Sequence, residues 1–138
     1  RQGGDVSSFA DRGTTPEART VVEIVSAAAG TVGTIDALEI GMAGITIGAG
    51  RMKLDDVLDP KAGIVLRKKV GDRVETGETL ALVHSDRADR ADRADRADVI
   101  PEVQLRVTRA FSIVAGTPAV PPLIRAMIDE NGVHPWGK

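Results

Sequence analysis

Residues 37–84 have the sequence ALEIGMAGITIGAGRMKLDDVLDPKAGIVLRKKVGDRVETGETLALVH and hold the densest apolar periodicity in the chain. The last third of this stretch predicts a compact β unit with two sharp reversals. Gly71-Asp72 is a tight-turn pair, because glycine tolerates positive φ and aspartate can hydrogen-bond the local backbone. A second reversal falls at Gly77. The predicted strands are Ile64–Val70, Arg73–Glu75 with only Val74 facing inward, and a buried strand at Thr79–Val83.

The middle third predicts a helix that runs from Asp36 to about Ile47. Asp36 is placed as its N-cap, and Glu39 three residues later makes a capping box with Asp in the Ser/Thr place. Gly48 and Gly50 end the helix at positions that need a left-handed residue. Both ends of the helix are therefore predicted from its flanking residues.

Apolar side chains cover most of the surface of this predicted helix. A helix that is apolar nearly all round is buried, so we expect burial here. Gly41 and Gly44 each cost the helix roughly 1 kcal/mol relative to alanine. Two such costs indicate close packing of the helix on a sheet.

The flanking segments complete the predicted core. Arg19–Ser26 predicts a strand with Val22 and Ile24 on one face, and Thr31–Ile35 predicts its partner strand. After the helix, Lys53–Ala62 predicts an acidic loop that leads into the β unit.

Two resemblances arise from these residues. The pattern G-D-x-V-x-x-G-x-x-L resembles the hammerhead β motif of barrel-sandwich domains, which biotinyl and lipoyl carriers also use. The longer order I-D-A-x-x-I-G-x-A, G-A-G-R, D-x-x-D-P-x-x-G-I-x-L and K-x-G-D-x-V-x-x-G-x-x-L-A-x-x-H resembles the C-terminal domain of pyrimidine-nucleoside phosphorylases, the family of thymidine phosphorylase. The matching positions include Asp36, Gly48, Gly50, Arg51, Asp59, Gly63, Gly71, Asp72, Gly77 and His84.

The family resemblance implies both a fold and a function. The fold is α+β, with a hammerhead (barrel-sandwich-like) β unit, a buried helix and a C-terminal helical segment. The family carries out phosphorolysis, in which phosphate attacks the anomeric carbon of a pyrimidine nucleoside to give free base and pentose 1-phosphate. Its phosphate and base sites lie in upstream domains, and this chain has no K-x-S-x-G-G segment. We therefore assign no catalytic, substrate-binding or metal-binding residue, and the matching positions form a structural motif.

Further expectations follow from the same resemblance. The parent enzyme is expected to be a cytoplasmic homodimeric glycosyltransferase of nucleoside salvage that uses phosphate as a substrate and needs no cofactor. The partners of this chain are then the upstream domains of the same polypeptide, with no nucleic acid and no membrane. The alternatives are a biotinyl or lipoyl-like carrier and a free-standing interaction module.

Composition limits the function classes. The 138 residues allow one domain with a real core, and 42% hydrophobic and 28% charged residues are typical of globular proteins. Aromatic residues make up only 2%, so the core must consist of Val, Ile, Leu and Ala. A net charge of −2 gives no attraction to nucleic acid or an anionic membrane. The absence of cysteine excludes disulfides and thiolate metal sites and fits a cytoplasmic protein.

The chain divides into four predicted segments. Residues 1–18 are a linker from a missing upstream domain or a remnant of cloning, and the chain begins with Arg, as a piece of a longer protein would. Residues 19–84 form the hammerhead α+β core. Residues 85–98 are an Asp-Arg-Ala repeat insertion, read either as a solvated helix with Asp–Arg pairs four residues apart or as a mobile spacer. Residues 99–138 complete the domain.

The last segment contains both helical and strand patterns. Apolar positions favour a helix from about Pro101 to Arg109, although alternation around Leu105 also suits a strand. The family resemblance implies the helix, followed by a short strand at Phe111–Ile113. Leu123–Ile128 predicts a last helical turn or two, and the tail from Asn131 is expected to be loose.

Several candidate chemical sites have a plainer structural interpretation. Gly48–Arg51 could cradle phosphate, but it ends a helix, where the dipole is negative, so a C-cap is favoured. Met52-Lys53-Leu54 is similar to the biotinylated segment of carriers but precedes the β motif instead of following it. Asp55, Asp56 and Asp59 do not have the spacing of a Ca²⁺ loop. His84 and His134 are single and far apart.

Overall fold

The computed structural model describes residues 17–86, 99–119, 122 and 124–136. The predicted linker over residues 1–16 and the repeat over residues 87–98 lie outside the described residues. The elements are β1 (Thr20–Val25), β2 (Gly30–Ile35), α1 (Ala37–Ile47), β3 (Gly63–Leu66), β4 (Arg73–Val74), β5 (Thr79–Ser85), α2 (Ile100–Ala110), β6 (Phe111–Val114), β7 (Ala126–Asp129) and β8 (Gly132–Pro135). The fold class is thus mixed α+β, as predicted. In the described part of the chain, neither helix is long and apolar enough to cross a membrane.

Two three-stranded antiparallel sheets form the body of the fold. Their strand orders are β1-β5-β3 and β4-β2-β6. The predicted pairing of Arg19–Ser26 with Thr31–Ile35 is wrong, because β1 and β2 lie in different sheets. A register shift after Ile24 breaks the β1 ladder, and the Ser26 backbone then bonds to the turn at Gly77 and Glu78. The chain therefore leaves the first sheet before β2 begins.

The core lies where the two sheets and the two helices meet. Its fully buried side chains are almost all aliphatic, as the composition requires, with Phe111 as the aromatic exception among the described residues. Each buried Val, Leu or Ile contributes about 1.5–3 kcal/mol relative to an exposed one. The cluster comprises Ile24, Val32, Ala43, Ile47, Val74, Leu80, Ala81, Val83, Val103, Val107, Ala110 and Phe111.

The predicted β unit between residues 63 and 85 is confirmed in its two turns, in β4 and in the buried strand β5, whereas the predicted strand Ile64–Val70 ends at Leu66. Gly71 and Gly77 have φ values of 95° and 83°, the left-handed region that glycine alone enters without strain. Asp72 accepts a hydrogen bond from the backbone N–H of Lys69 at 2.7 Å, which closes the first turn. Val74 is buried and β5 is the central strand of its sheet.

Helix α1 has the predicted ends, but its N-terminus is capped on one side only. The Asp36 carboxylate accepts from the backbone N–H groups of Leu38 and Glu39 at 2.9 and 3.2 Å. The reciprocal arm of the capping box is absent, because the Asp36 N–H donates to Ala110 O at 2.8 Å instead. At the other end Gly48 is the C-cap, with φ of 97°.

The expectation that α1 is buried all round is wrong. Only Ala43 and Ile47 are fully buried, and Leu38 is 71% exposed. The expected close approach at Gly41 and Gly44 is also wrong for the described residues, since a Cβ built on Gly41 meets nothing within 4 Å. The reason is that α1 packs mainly beside α2, which leaves its opposite face open.

The two helices lie side by side because the strands attached to them are paired. Strand β2 runs into α1 and α2 runs into β6, and Ile35 is the register partner of Phe111. Both the predicted helix and the short strand after it are confirmed as α2 and β6. The alternation around Leu105 therefore does not decide the structure, because Val103 and Val107, one turn apart, are buried and Leu105 between them is 50% exposed.

The C-terminal prediction is wrong. In place of a helical turn and a loose tail, β7 and β8 form an antiparallel hairpin. Two residues, Glu130 and Asn131, connect the strands, and Gly132 follows with φ of 123°. The backbone N–H of Asn131 donates to Asp129 Oδ1 at 2.8 Å. Asn-Gly is a strong hairpin signal, and here it outweighs the helical spacing of the apolar residues.

Candidate functional site

The Gly48–Arg51 segment is built as a helix end. Gly48 N–H donates to Ile45 O at 3.0 Å and Ala49 N–H donates to Gly44 O at 2.9 Å, so the last carbonyls of α1 are satisfied. A Cβ on Gly50 would lie 2.8 Å from Cγ1 of Ile45, so the loop leaves the helix in close contact with this side chain. The segment presents helix carbonyls and lies at the negative end of the dipole, which does not favour phosphate.

The loop that follows is organised by two carboxylates. Asp56 Oδ2 accepts from the backbone N–H groups of Met52 and Lys53 at 2.9 and 3.0 Å. Asp59 Oδ1 accepts from Lys61 N–H at 3.0 Å, and Asp59 N–H donates to Gly48 O at 2.9 Å. The sequence analysis rejected a Ca²⁺ loop at these residues but did not predict that they accept hydrogen bonds in turns, although Asp is a common residue for that role.

No metal centre is formed in the parts of the chain that are described. Within them, no group of three or more His, Cys, Asp or Glu side chains is placed to hold a metal ion. His84 lies in β5, whereas His134 lies in β8 and its Nε2 is 3.0 Å from Asp129 Oδ1. The two histidines are therefore parts of different sheets.

The carrier alternative is not favoured by the structure. In a biotinyl carrier, the modified lysine lies on a hairpin after the strand of the G-D-x-V-x-x-G-x-x-L motif. Here that strand is β5, which continues to Ser85, a fully buried residue. Lys53 is instead exposed in the loop stabilised by Asp56.

Glu78 stabilises the turn between β4 and β5. Its carboxylate forms an ion pair with Lys68 and accepts from the backbone N–H of Glu75 at 2.9 Å. The hydrogen bond from Lys68, followed by that from Glu75, lowers the pKa of the Glu78 carboxyl below its ordinary value of 4.5. This residue pair connects the end of β3 to the second reversal.

Asp86 joins three separate segments of the core. Its Oδ1 accepts from the backbone N–H of Arg19 at 2.6 Å, and its Oδ2 accepts from Lys61 Nζ at 3.2 Å. The hydrogen bond from Arg19, with a further contribution from Lys61, lowers the pKa of the Asp86 carboxyl. Sequence reasoning missed this role because Asp86 resembles the other aspartates of the repeat.

An ion pair also links the two helices. Arg106 Nη1 lies 2.9 Å from Glu39 Oε2, and Arg106 Nη2 lies 3.6 Å from Glu102 Oε1. Glu39 thus binds across to α2 and does not return to the N-cap of its own helix. No signal in the sequence links residues 67 positions apart, so this contact could not have been predicted.

Several positions of the family motif have structural roles in the described residues, whereas Arg51 is exposed and has no such contact there. Asp36 and Gly48 cap α1, Asp59 closes the loop, and Gly71 and Gly77 make turns. In addition, Gly63 begins β3, and every buried side-chain N or O atom in the described residues has a hydrogen-bond partner. A satisfied polar network of this kind stabilises the fold.

Comparison with known proteins shows which family this chain resembles. Residues 31–98 match the family model described as pyrimidine nucleoside phosphorylase C-terminal domain. The chain is 38% identical over 129 residues to the pyrimidine-nucleoside phosphorylase of Bacillus subtilis, covering 94% of this chain and 27% of that protein. It is 44% identical over 86 residues to that of Staphylococcus haemolyticus, covering 62% of this chain and 20% of that protein.

A third relative agrees with these two. The pyrimidine-nucleoside phosphorylase of Geobacillus stearothermophilus is 41% identical over 86 residues, with 62% of this chain and 20% of that protein covered. The chain therefore spans between a fifth and about a quarter of the length of these relatives. The matched residues include α1, the Gly48–Asp59 loop and the β unit. The chain thus belongs to the pyrimidine-nucleoside phosphorylase family and represents its C-terminal domain.

Proposed function

We propose that this chain is the non-catalytic C-terminal domain of an enzyme that carries out phosphorolysis of pyrimidine nucleosides. The observation that supports the proposal most directly is the structural role of the motif residues. Within the family match, Asp36 and Gly48 cap α1, Asp59 folds the loop and Asp72 closes a turn. Such a domain supplies shape and rigidity, and the reacting groups come from elsewhere in the polypeptide.

In the proposed reaction, this domain helps to position the two reactants and does not supply a reacting group. Phosphate attacks the anomeric carbon of the nucleoside, the bond to the base breaks, and free base and pentose 1-phosphate leave. Phosphate is a substrate, and no cofactor is required. Closure of a cleft between domains would exclude water and align the two reactants, and a rigid C-terminal domain would hold the α/β domain in place for this motion.

The finer features of the fold and of the parent protein belong to the same proposal. The crossing of β2 between β4 and β6, together with the two tight reversals, supports a hammerhead, barrel-sandwich-like unit. The parent enzyme is proposed to be a homodimeric, cytoplasmic transferase of nucleoside salvage. Neither nucleic acid nor a membrane is proposed as a partner, in keeping with the net charge of −2.

The product of the complete reading frame tests this proposal. It is incubated with uridine and thymidine, with and without phosphate, and the products are separated by chromatography. We expect base release that requires phosphate and yields pentose 1-phosphate in equal amount. Base release without phosphate would indicate a hydrolase, and no base release from either nucleoside would contradict the proposed function.

A further inference from the structure

The open face of α1 continues into an exposed apolar loop. Leu38 and Gly41 lie one turn apart on this face, and Ile45 follows one turn later. Gly50 contacts the Ile45 side chain, so the loop begins on the same side of the helix. About seven residues separate Leu38 from Ile45, a helix length of roughly 10 Å.

The loop carries large apolar side chains that its own fold does not bury. Leu54 is 84% exposed and Val57 is 76% exposed, and Met52 is also exposed. Their backbone is nevertheless held in place, because Asp56 accepts from Met52 and Lys53 and Asp59 N–H donates to Gly48 O. Exposed apolar side chains that form a contiguous patch are typical of interaction surfaces.

Gly41 provides an independent sign that another surface approaches closely. Glycine inside a helix lowers its stability relative to alanine, and Gly41 is exposed with nothing within 4 Å of its Cβ position. No described residue therefore uses the space that the missing side chain leaves. A backbone or side chain from outside the described residues could pack there against the helix itself.

Arg51 adds a charged group to this surface. It is exposed, and it forms no ion pair or hydrogen bond with any residue that the structure describes. Arginine is one of the residues that contribute most to the binding energy of protein interfaces. The complementary surface should then be apolar and should carry a carboxylate near Arg51.

The size of the surface points to a tethered partner. The helix–loop surface, defined as Leu38, Gly41, Arg51, Met52, Leu54 and Val57, has far fewer residues than the about 20–30 a side of a stable complex between free proteins. A partner on the same polypeptide is held at an effective concentration in roughly the millimolar range, so a small surface suffices. More than two thirds of the Bacillus subtilis relative lies outside its match to this chain, which is ample length for such a partner.

From these observations we propose that the helix–loop surface docks the domain onto the remaining part of the phosphorylase polypeptide. This inference rests on the proposed function and adds the contact surface to it. The docked partner covers Leu54 and Val57, packs against α1 at Gly41 and pairs a carboxylate with Arg51. The surface is thus the place where the position of this domain relative to the rest of the enzyme is set.

Hydrogen exchange measured by mass spectrometry tests the docking surface. Peptides that cover residues 37–58 are followed in the complete protein and in the chain alone. We expect exchange to be at least tenfold slower in the complete protein. Leu54→Glu and Gly41→Leu should each remove this difference, and Arg51→Gln should reduce it severalfold at low salt. Leu105→Glu, at a 50% exposed position on α2, is the matched control and should leave it unchanged.

The possible outcomes separate the two proposals. Equal exchange in the complete protein and the chain alone would overturn the docking surface, as would protection that rises with the concentration of the chain alone, since a second copy would then cover it. The docking surface would also be overturned if Leu54→Glu and Gly41→Leu left the difference in exchange unchanged, as Leu105→Glu should. Phosphorolysis measured on the same preparations decides the proposed function separately, because an active complete protein with an unprotected surface refutes only the docking inference. The same substitutions in the chain alone, followed by urea denaturation, verify that each variant folds.

Discussion

At the scale of single residues, capping and turn chemistry explain why this chain folds where it does. Asp36 satisfies two N–H groups at the start of α1, and a single glycine ends the helix. These roles were predictable because they depend on neighbours within three or four positions. Asp86 was not, because its partners Arg19 and Lys61 come from distant parts of the chain.

The N-cap of α1 gives the first prediction. Asp36→Ala removes the acceptor for the Leu38 and Glu39 N–H groups, so the free energy of unfolding should fall by about 0.5–2 kcal/mol. Urea denaturation of the chain measures this change. Asp36→Asn keeps a side-chain oxygen at the cap and should retain most of the stability. If Asn destabilises as much as Ala does, the cap is not the reason for the effect.

Two glycines in and after α1 give a second prediction, with opposite signs for the same substitution. Gly48→Ala places a Cβ in the left-handed region, where φ is 97°, and should cost about 1–2 kcal/mol. Gly41→Ala fills open space in a helix and should stabilise the chain by roughly 0.5–1 kcal/mol. Thermal and urea unfolding of both variants test the pair. Destabilisation by Gly41→Ala would contradict the open space beside Gly41.

At the scale of elements, the sequence predicts local structure better than it predicts pairing. The ends of α1, both turns of the β unit, the buried β5 and the helix–strand order of α2 and β6 all follow from local patterns. The sheet membership of β1 and β2 does not, because a strand pattern shows which face is buried and not which strand lies beside it. The β7–β8 hairpin was missed because Asn131-Gly132 was not read as a turn.

The exposed face of α1 shows where an apolar pattern misleads. A helix covered by apolar residues is expected to be buried, and in the described residues Ala37, Leu38 and Gly41 are exposed. The discrepancy is the basis for the docking surface.

The ion pair between the helices gives a third prediction. Arg106 and Glu39 are both partly exposed, so their interaction is screened by solvent and should be worth less than about 1 kcal/mol. A double-mutant cycle with Arg106→Gln and Glu39→Gln in urea denaturation measures this coupling. It should shrink further in 1 M salt, where the screening length is roughly 3 Å. A salt-independent coupling would indicate a buried interaction that the structure does not have.

The turn between β4 and β5 gives a fourth prediction, on pH. The pKa of Glu78 is lowered in the folded chain by its hydrogen bonds with Lys68 and Glu75, so the ionised carboxylate stabilises the fold. That contribution is present above the ordinary pKa of 4.5 and is lost as the pH falls below it. Glu78→Gln should therefore lower the stability at pH 7 and have little effect well below pH 4.5.

The comparison variant for this pH effect is Glu130→Gln, in the exposed turn of the hairpin. It should follow the wild-type pH dependence of unfolding. A Glu78→Gln variant with an unchanged stability difference across the acid range would show that the carboxylate charge is not responsible.

At the scale of the whole molecule, the family and the fold class were predictable, and the division of the chain was not tested. The ordered motifs between residues 35 and 84 identify the domain because they combine turn glycines, caps and apolar positions in one register. The predicted segments at residues 1–18, 19–84, 85–98 and 99–138 stay predictions. The functional conclusion depends on residues beyond the match, since the chain spans at most about a quarter of its relatives.

The central claim is that this domain positions the reacting parts of a phosphorylase without supplying a reacting group. Release of free base from uridine and thymidine, with phosphate present, tests it most directly when the chain alone is compared with the product of the complete reading frame. We predict base release by the complete protein and none by the chain alone. Phosphate-dependent base release by the chain alone would contradict the claim, because it would require a phosphate site among residues that here only cap helices and close turns.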